Sequence, residues 1–147
     1  MAEPMFKGLT PGHAQGYLLG GCLSLLSSIL GTSFCPDFRG AVLFFEDVGE
    51  EPYRIDQYLA HLKNAGVLEH VVGIISGKFK DCEPKNDSPS LSLEETLKDY
   101  FIPLNKPTIQ NFDYGHGDIK YTLPLGIKVG MDSSLDKIEL LEAAVAD

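Results

Sequence analysis

Two stretches of the chain are apolar at nearly every position, and they anchor the reading of the rest. Residues 40–45 (GAVLFF) and 71–76 (VVGIIS) are each bounded by polar positions, the pattern of strands buried on both faces of a sheet. Between them Ile55, Leu59 and Leu62 recur at helical spacing behind Pro52, whose fixed φ suits a first helical turn. That helix closes at Asn64, Ala65 and Gly66. Upstream, residues 16–20 (GYLLG) read as a short strand entering a glycine turn at Gly20 and Gly21. A helix carrying Leu23, Leu26, Ile29 and Leu30 follows, and Gly31 stops it as a C′ glycine does.

Downstream the pattern loosens. Residues 81–90 (DCEPKNDSPS) have the composition of an exposed loop. Ser92 and Glu95 are spaced as a capping box and open a short helix. Residues 107–111 suit a strand that runs into the loop 113–118 (DYGHGD). Residues 121–129 resume a strand pattern broken by Pro124 and Gly126. For residues 135–146 two readings stand side by side: propensity favours helix, while Ile138, Leu140 and Leu141 also suit a last strand after a turn at Asp132, Ser133 and Ser134. Residues 1–11 show no period and read as a lead-in, with one domain over residues 12–147. Strands alternating with helices define an α/β class with a mixed sheet.

A length of 147 residues, with 44% apolar and 22% charged, fits one folded domain. The net charge of −9 argues against nucleic acid, because binding to a phosphate backbone draws on Lys and Arg. Cys22, Cys35 and Cys82 are odd in number and lack a CxxC spacing, so neither zinc nor a disulfide framework is expected and a cytoplasmic setting is simplest. Residues 17–31 (YLLGGCLSLLSSILG) are too short and too rich in Gly and Ser to span a bilayer. With only Lys7 ahead of them and no small-x-small site behind, they do not read as a signal either.

The chemistry concentrates at two positions. Glu46 directly follows five apolar strand residues, and in open α/β sheets ligands bind outside the carboxyl ends of strands. It either serves such a site or, with Asp47, simply ends the strand. His116 lies between two glycines that leave its imidazole uncrowded, either for acid–base work or as a surface histidine in a turn. A carboxylate beside a histidine fixes the ring tautomer and stabilises the imidazolium that forms when the other nitrogen takes a proton. Such a pair needs a nucleophile. Ser24, Ser27 and Ser28 read as helix residues, Ser88, Ser90 and Ser92 as loop and cap, Ser133 and Ser134 as turn, and no GxSxG elbow occurs. Cys22, after Gly20 and Gly21 at a helix start, has either an activated thiol or a small buried side chain. No GxxxxGK[ST], GxGxxG or HExxH is present.

Taken together, GGCLSLLSSILGTSFCPDFRGAVLFFEDVGEEPYRIDQYL, VVGIISGKF and NFDYGHGDIKYTLPLG resemble the C-terminal domain of the LD-carboxypeptidases, a family that includes murein tetrapeptide carboxypeptidases and microcin C self-immunity peptidases. The resemblance implies a three-layer β/β/α swivelling domain. It places Glu46 and His116 in a Ser-Glu-His triad whose serine belongs to a separate N-terminal domain, so the chain alone is expected to be inactive. The implied reaction releases terminal D-alanine from murein tetrapeptide during cell-wall recycling, on a peptide substrate with a D-amino acid, with no metal, no cofactor and no membrane; full-length relatives form homodimers, and whether this chain does so is left open. Cleavage of a peptidyl-nucleotide, or a noncatalytic binding role, are the alternatives. Two departures stand out: Cys22 where the family usually has asparagine, in a glycine stretch (Gly20, Gly21) lining the substrate cleft, and Gln57 where it usually has arginine.

Overall fold

The computed structural model describes residues 6–145 other than 88. The two apolar runs lie side by side at its centre. The first forms β3 (Val42–Glu46) and the second β4 (Gly73–Gly77), paired in parallel from Val42 opposite Gly73 to Phe45 opposite Ser76, and every residue of both strands is buried. Flanking them are β1 (Lys7–Thr10), β2 (His13–Cys22), β5 (Thr108–Phe112), β6 (Lys128–Asp132) and β7 (Lys137–Leu140). The order is β1-β5-β4-β3-β2-β6-β7, with β2 to β5 mutually parallel where they pair and β1, β6 and β7 antiparallel to their neighbours.

Pleating sends alternate side chains of β3 to opposite faces. Leu43 and Phe45 pack under the helices, against Leu23 and Leu26 of α1 (Leu23–Ile29), Ile55, Leu59 and Leu62 of α2 (Pro52–Asn64), and Leu97 and Phe101 of α4 (Leu93–Leu104). Val42 and Phe44 face the other way, onto Leu18, Ile75, Ile109, Val129 and Met131. Helices, parallel strands and the β6–β7 ribbon thus make three layers. The ribbon reaches its place because β2 serves both: His13–Tyr17 pair with β6, while Leu18–Cys22 pair with β3. Met131 and Ala14 then lie over Gly73, where a side chain would collide with the Met131 sulfur.

Several elements differ from the sequence reading. Gly20 and Gly21 do not turn; they continue β2 as far as Cys22, each in register with β3. A glycine pair reads as a turn because glycine is depleted in strands, whereas here the pair keeps its ladder partners, Phe44 and Phe45. β1 pairs with β5 along Lys7–Thr10, so the sheet begins ahead of Gly12. β4 starts two residues later than its apolar run, because Val67–His70 form a one-turn helix, α3, too short to show a period. The helix capped by Ser92 runs twelve residues, with Pro103 in its last turn, and the Ser92–Glu95 capping box is formed in both directions. Residues 121–127 are loop, and the strand foreseen there begins at Lys128. Of the two readings of residues 135–146, the strand holds at Lys137–Leu140; Ala146 lies outside the described residues. Cys82, in the loop read as exposed, is buried and donates to the Lys80 carbonyl at 3.3 Å.

Candidate active site

Glu46 is the last residue of β3 and is 2% exposed. Strand alternation puts it on the side of Val42 and Phe44, above the second core. Its Oε2 accepts from His116 Nδ1 at 2.8 Å and from the His116 backbone N–H at 3.3 Å. An ionised carboxylate can only accept, so this contact holds the imidazole proton on Nδ1 and leaves Nε2 free to take one. The His116 side chain meets Glu46 through Nδ1 and is 49% exposed.

The surrounding backbone explains how a buried carboxylate and an exposed loop meet. Gly77 ends β4 beside Glu46, and a side chain there would press on Glu46 Cβ and on the Tyr114 carbonyl, both at 2.9 Å. Gly115 adopts φ +103°, and a Cβ on it would fall on the Glu46 carboxylate. Between Ile75–Ile109 and Gly77–Phe112 the β4–β5 register slips by one residue, and Asn111 takes φ +61°. Bulges of this kind re-aim a strand end, and this one swings residues 113–118 across the tip of β3. The loop is closed by Tyr121 N–H donating to the Asp113 carbonyl at 2.8 Å.

The three cleft candidates lie along the same strand tip. Gly20 faces Phe44, Gly21 faces Phe45 and Cys22 faces Glu46. A Cβ on Gly20 would meet the Phe44 carbonyl, whereas one on Gly21 would meet open space, so Gly21 leaves room at the rim. Cys22 is half-buried, 3.3 Å from Ser24 Oγ. Burial pushes its thiol pKa up, and the Asp47 carboxylate adds to that. Of the two readings of Cys22, the raised thiol favours the small, partly buried side chain, and Asp47 occupies the helix start beside it, accepting from Ser24 N–H at 2.8 Å.

Asp47 and Tyr114 were not singled out from sequence. Asp47 is buried and holds both the start of α1 and the Val48 N–H, at 2.9 Å. Tyr114 packs edge-on to Phe44 with ring centres 4.9 Å apart, its phenol pKa raised by burial and then by Glu46 and Cys22. The neighbours of His116 in DYGHGD were the available signal. The other histidines lie elsewhere: His13 is exposed, 3.9 Å from Asp132, His61 meets Ser27 Oγ at 2.7 Å on the outer face of α1 and α2, and His70 ends α3. Ser133 is buried and donates to the Thr10 and Gly12 carbonyls, a structural tie. Among the described residues no group of three or more His, Cys, Asp or Glu is placed to hold a metal, and no helix is long and apolar enough to cross a membrane.

Fold and site define an α/β domain that presents a carboxylate-oriented imidazole at the carboxyl ends of its parallel strands. Residues 15–131 match the LD-carboxypeptidase C-terminal domain, and the chain belongs to that family. A Bacillus subtilis protein named "Probable murein peptide carboxypeptidase" is 44% identical over 139 residues, which is 95% of this chain and 43% of that protein. The chain therefore spans less than half the length of this relative, on its C-terminal side. Among solved structures, MccF in complex with glutamyl sulfamoyl guanosine superposes with a TM-score of 0.86 at 25% identity, covering 99% of this chain and 43% of that one. A muramoyltetrapeptide carboxypeptidase from Oxalobacter formigenes gives 0.78 at 28%, covering 90% and 48%.

Proposed function

We propose that this chain supplies the acid–base half of a serine carboxypeptidase, with Glu46 and His116 completing a triad whose serine lies on an N-terminal domain. The observation that carries the reading is the 2.8 Å contact from His116 Nδ1 to a buried carboxylate, on an imidazole that is itself half-exposed. In this mechanism His116 Nε2 takes the serine proton as the hydroxyl oxygen attacks the scissile carbonyl carbon. The imidazolium is stabilised by Glu46, and the same proton passes to the leaving amine as the amide bond breaks. Water, deprotonated by His116 in turn, then releases the acyl group from serine. The substrate is a murein tetrapeptide and the leaving amine terminal D-alanine, in the cytoplasm; the 44% identity to a relative named for murein peptides favours this class.

A second reading is hydrolysis of a peptidyl-nucleotide, favoured by the MccF structure that holds glutamyl sulfamoyl guanosine and matches over 99% of this chain. One experiment addresses both. The chain alone should hydrolyse neither substrate, and supplying an N-terminal domain with its serine should restore cleavage of murein tetrapeptide in preference to an aminoacyl sulfamoyl nucleoside. Glu46→Gln and His116→Asn should each lower kcat by about 10³-fold or more, as triad substitutions do. Full activity in both variants would leave a noncatalytic domain.

A further inference from the structure

Beside the Glu46–His116 pair lies a further buried carboxylate, besides Asp47, that the proposed reaction does not use. Asp113 is 1% exposed, and its partner is the Nζ of Lys78, a side chain 45% exposed. Neither Asp113 oxygen has a further hydrogen-bond donor among the described residues. As a stabilising device this is poor, because a buried carboxylate with one half-solvated partner recovers little of its desolvation cost, and an apolar pair of similar volume often does better. A buried polar group left under-satisfied calls for a reason other than stability.

The position of the pair suggests that reason. Gly77 and Phe112 are opposed in the β4–β5 register, so Lys78 and Asp113 are the next residues out on the two strands. They join the strand ends just past the bulge, at the point where Gly77 and Gly115 enclose Glu46. Asp113 also accepts the Tyr121 N–H on its main-chain carbonyl, so the loop leaves and returns at this one residue. Between those fixed ends His116 lies between two glycines, and among the described residues its hydrogen bonds go to Glu46. A glycine-flanked loop spreads over many backbone states unless its base is fixed.

We propose that the Lys78–Asp113 ion pair is a positioning device for His116, fixing the base of the 113–121 loop so that Nδ1 meets Glu46 and Nε2 faces the substrate side. The proposal rests on His116 being the triad histidine, but its test does not need turnover. Imidazole 15N–1H spectra of this chain read the ring directly, and His116→Asn assigns the signals among the four histidines. The wild type should show Nδ1 protonated and Nε2 bare. Lys78→Gln and Asp113→Asn should shift His116 toward the Nε2–H form that free imidazole prefers, by about tenfold, the equilibrium equivalent of one hydrogen bond to a charged group. Lys78→Arg, which keeps the charge, should restore the wild-type signals.

Asp113→Asn replaces the buried charge with a neutral amide, which costs less when left unpaired, so it should fold even where Lys78→Gln, which strands the charge, does not. Unchanged amide dispersion marks a folded variant. A folded variant of either kind with wild-type His116 signals would overturn the proposal and leave the pair a structural tie, as would failure of Lys78→Arg to restore them. The two levels separate cleanly. Loss of the ring signature with Glu46→Gln and His116→Asn harmless to the reconstituted enzyme defeats the triad, not the positioning; the reverse combination defeats the positioning alone.

Discussion

Glu46 owes its geometry to side chains that are missing around it. Gly115 sits at φ +103° with its Cα against the carboxylate, so Gly115→Ala adds both backbone strain and a methyl group where Oε2 must lie. We expect the reconstituted enzyme to lose about a hundredfold in kcat, the usual consequence of displacing a catalytic group by an ångström, with the fold intact by circular dichroism. At Cys22 the expectation is negative. Its raised thiol pKa predicts slow alkylation at neutral pH, slower than a solvent-exposed cysteine in a peptide, measured by mass spectrometry under native conditions. Glu46 and His116 could be singled out from sequence because a strand end and a glycine-flanked loop are visible in one dimension. Their mutual contact could not, since it depends on a bulge at Asn111 and a glycine at position 77 in two other segments.

At the level of elements, the apolar runs gave β3 and β4 because strands buried on both faces need no periodicity to be seen. β2 was half visible. Its second half is apolar and pairs locally with β3, whereas its first half carries His13 and Gln15 at exposed positions and pairs with a distant strand. α3, a single turn, has no sequence signal beyond Gly66, and its stability comes from outside. Lys106 Nζ donates to the carbonyls of Leu68 at 3.0 Å, Glu69 at 2.5 Å and Val71 at 2.6 Å, filling acceptors that the helix end leaves open. Lys106→Met should therefore cost about 1–3 kcal/mol in urea unfolding, while Ser92→Ala, which opens the capping box of α4, should cost about 1 kcal/mol. Equal, negligible shifts in both would mean that neither cap contributes.

For the molecule as a whole, the alkaline limb of stability follows from buried acids that must stay protonated. Burial raises the Cys82 thiol pKa to about 11, with the Asp47 carboxylate adding to it. Because the folded pKa lies above the unfolded one, the contribution is complete below about pH 9 and is lost as pH climbs to about 11. Tyr100, raised to about 12 by burial and its hydrogen bond to Asp56, acts in the same sense at higher pH. The unfolding free energy should fall by ~2 kcal/mol across the thiol window, and Cys82→Ala should flatten that decline without moving the limb above it. A wild type equally stable at pH 8 and pH 11 would contradict this.

The division of β2 between two partners also bears on how the chain is made. His13 emerges from the ribosome long before the residue it pairs with, Asp132, and β6 in turn is bordered by β7. The parallel strands and their helices can assemble during synthesis, but the core that Val129 and Met131 complete stays open until β6 has left the exit tunnel. The third layer therefore closes only once β6 has emerged, and until then the nascent domain holds Val42, Phe44 and Ile75 uncovered. A ribosome stalled with the helices and parallel strands emerged but β6 still in the exit tunnel would hold a formed helical layer over an exposed apolar sheet face, a natural target for chaperones.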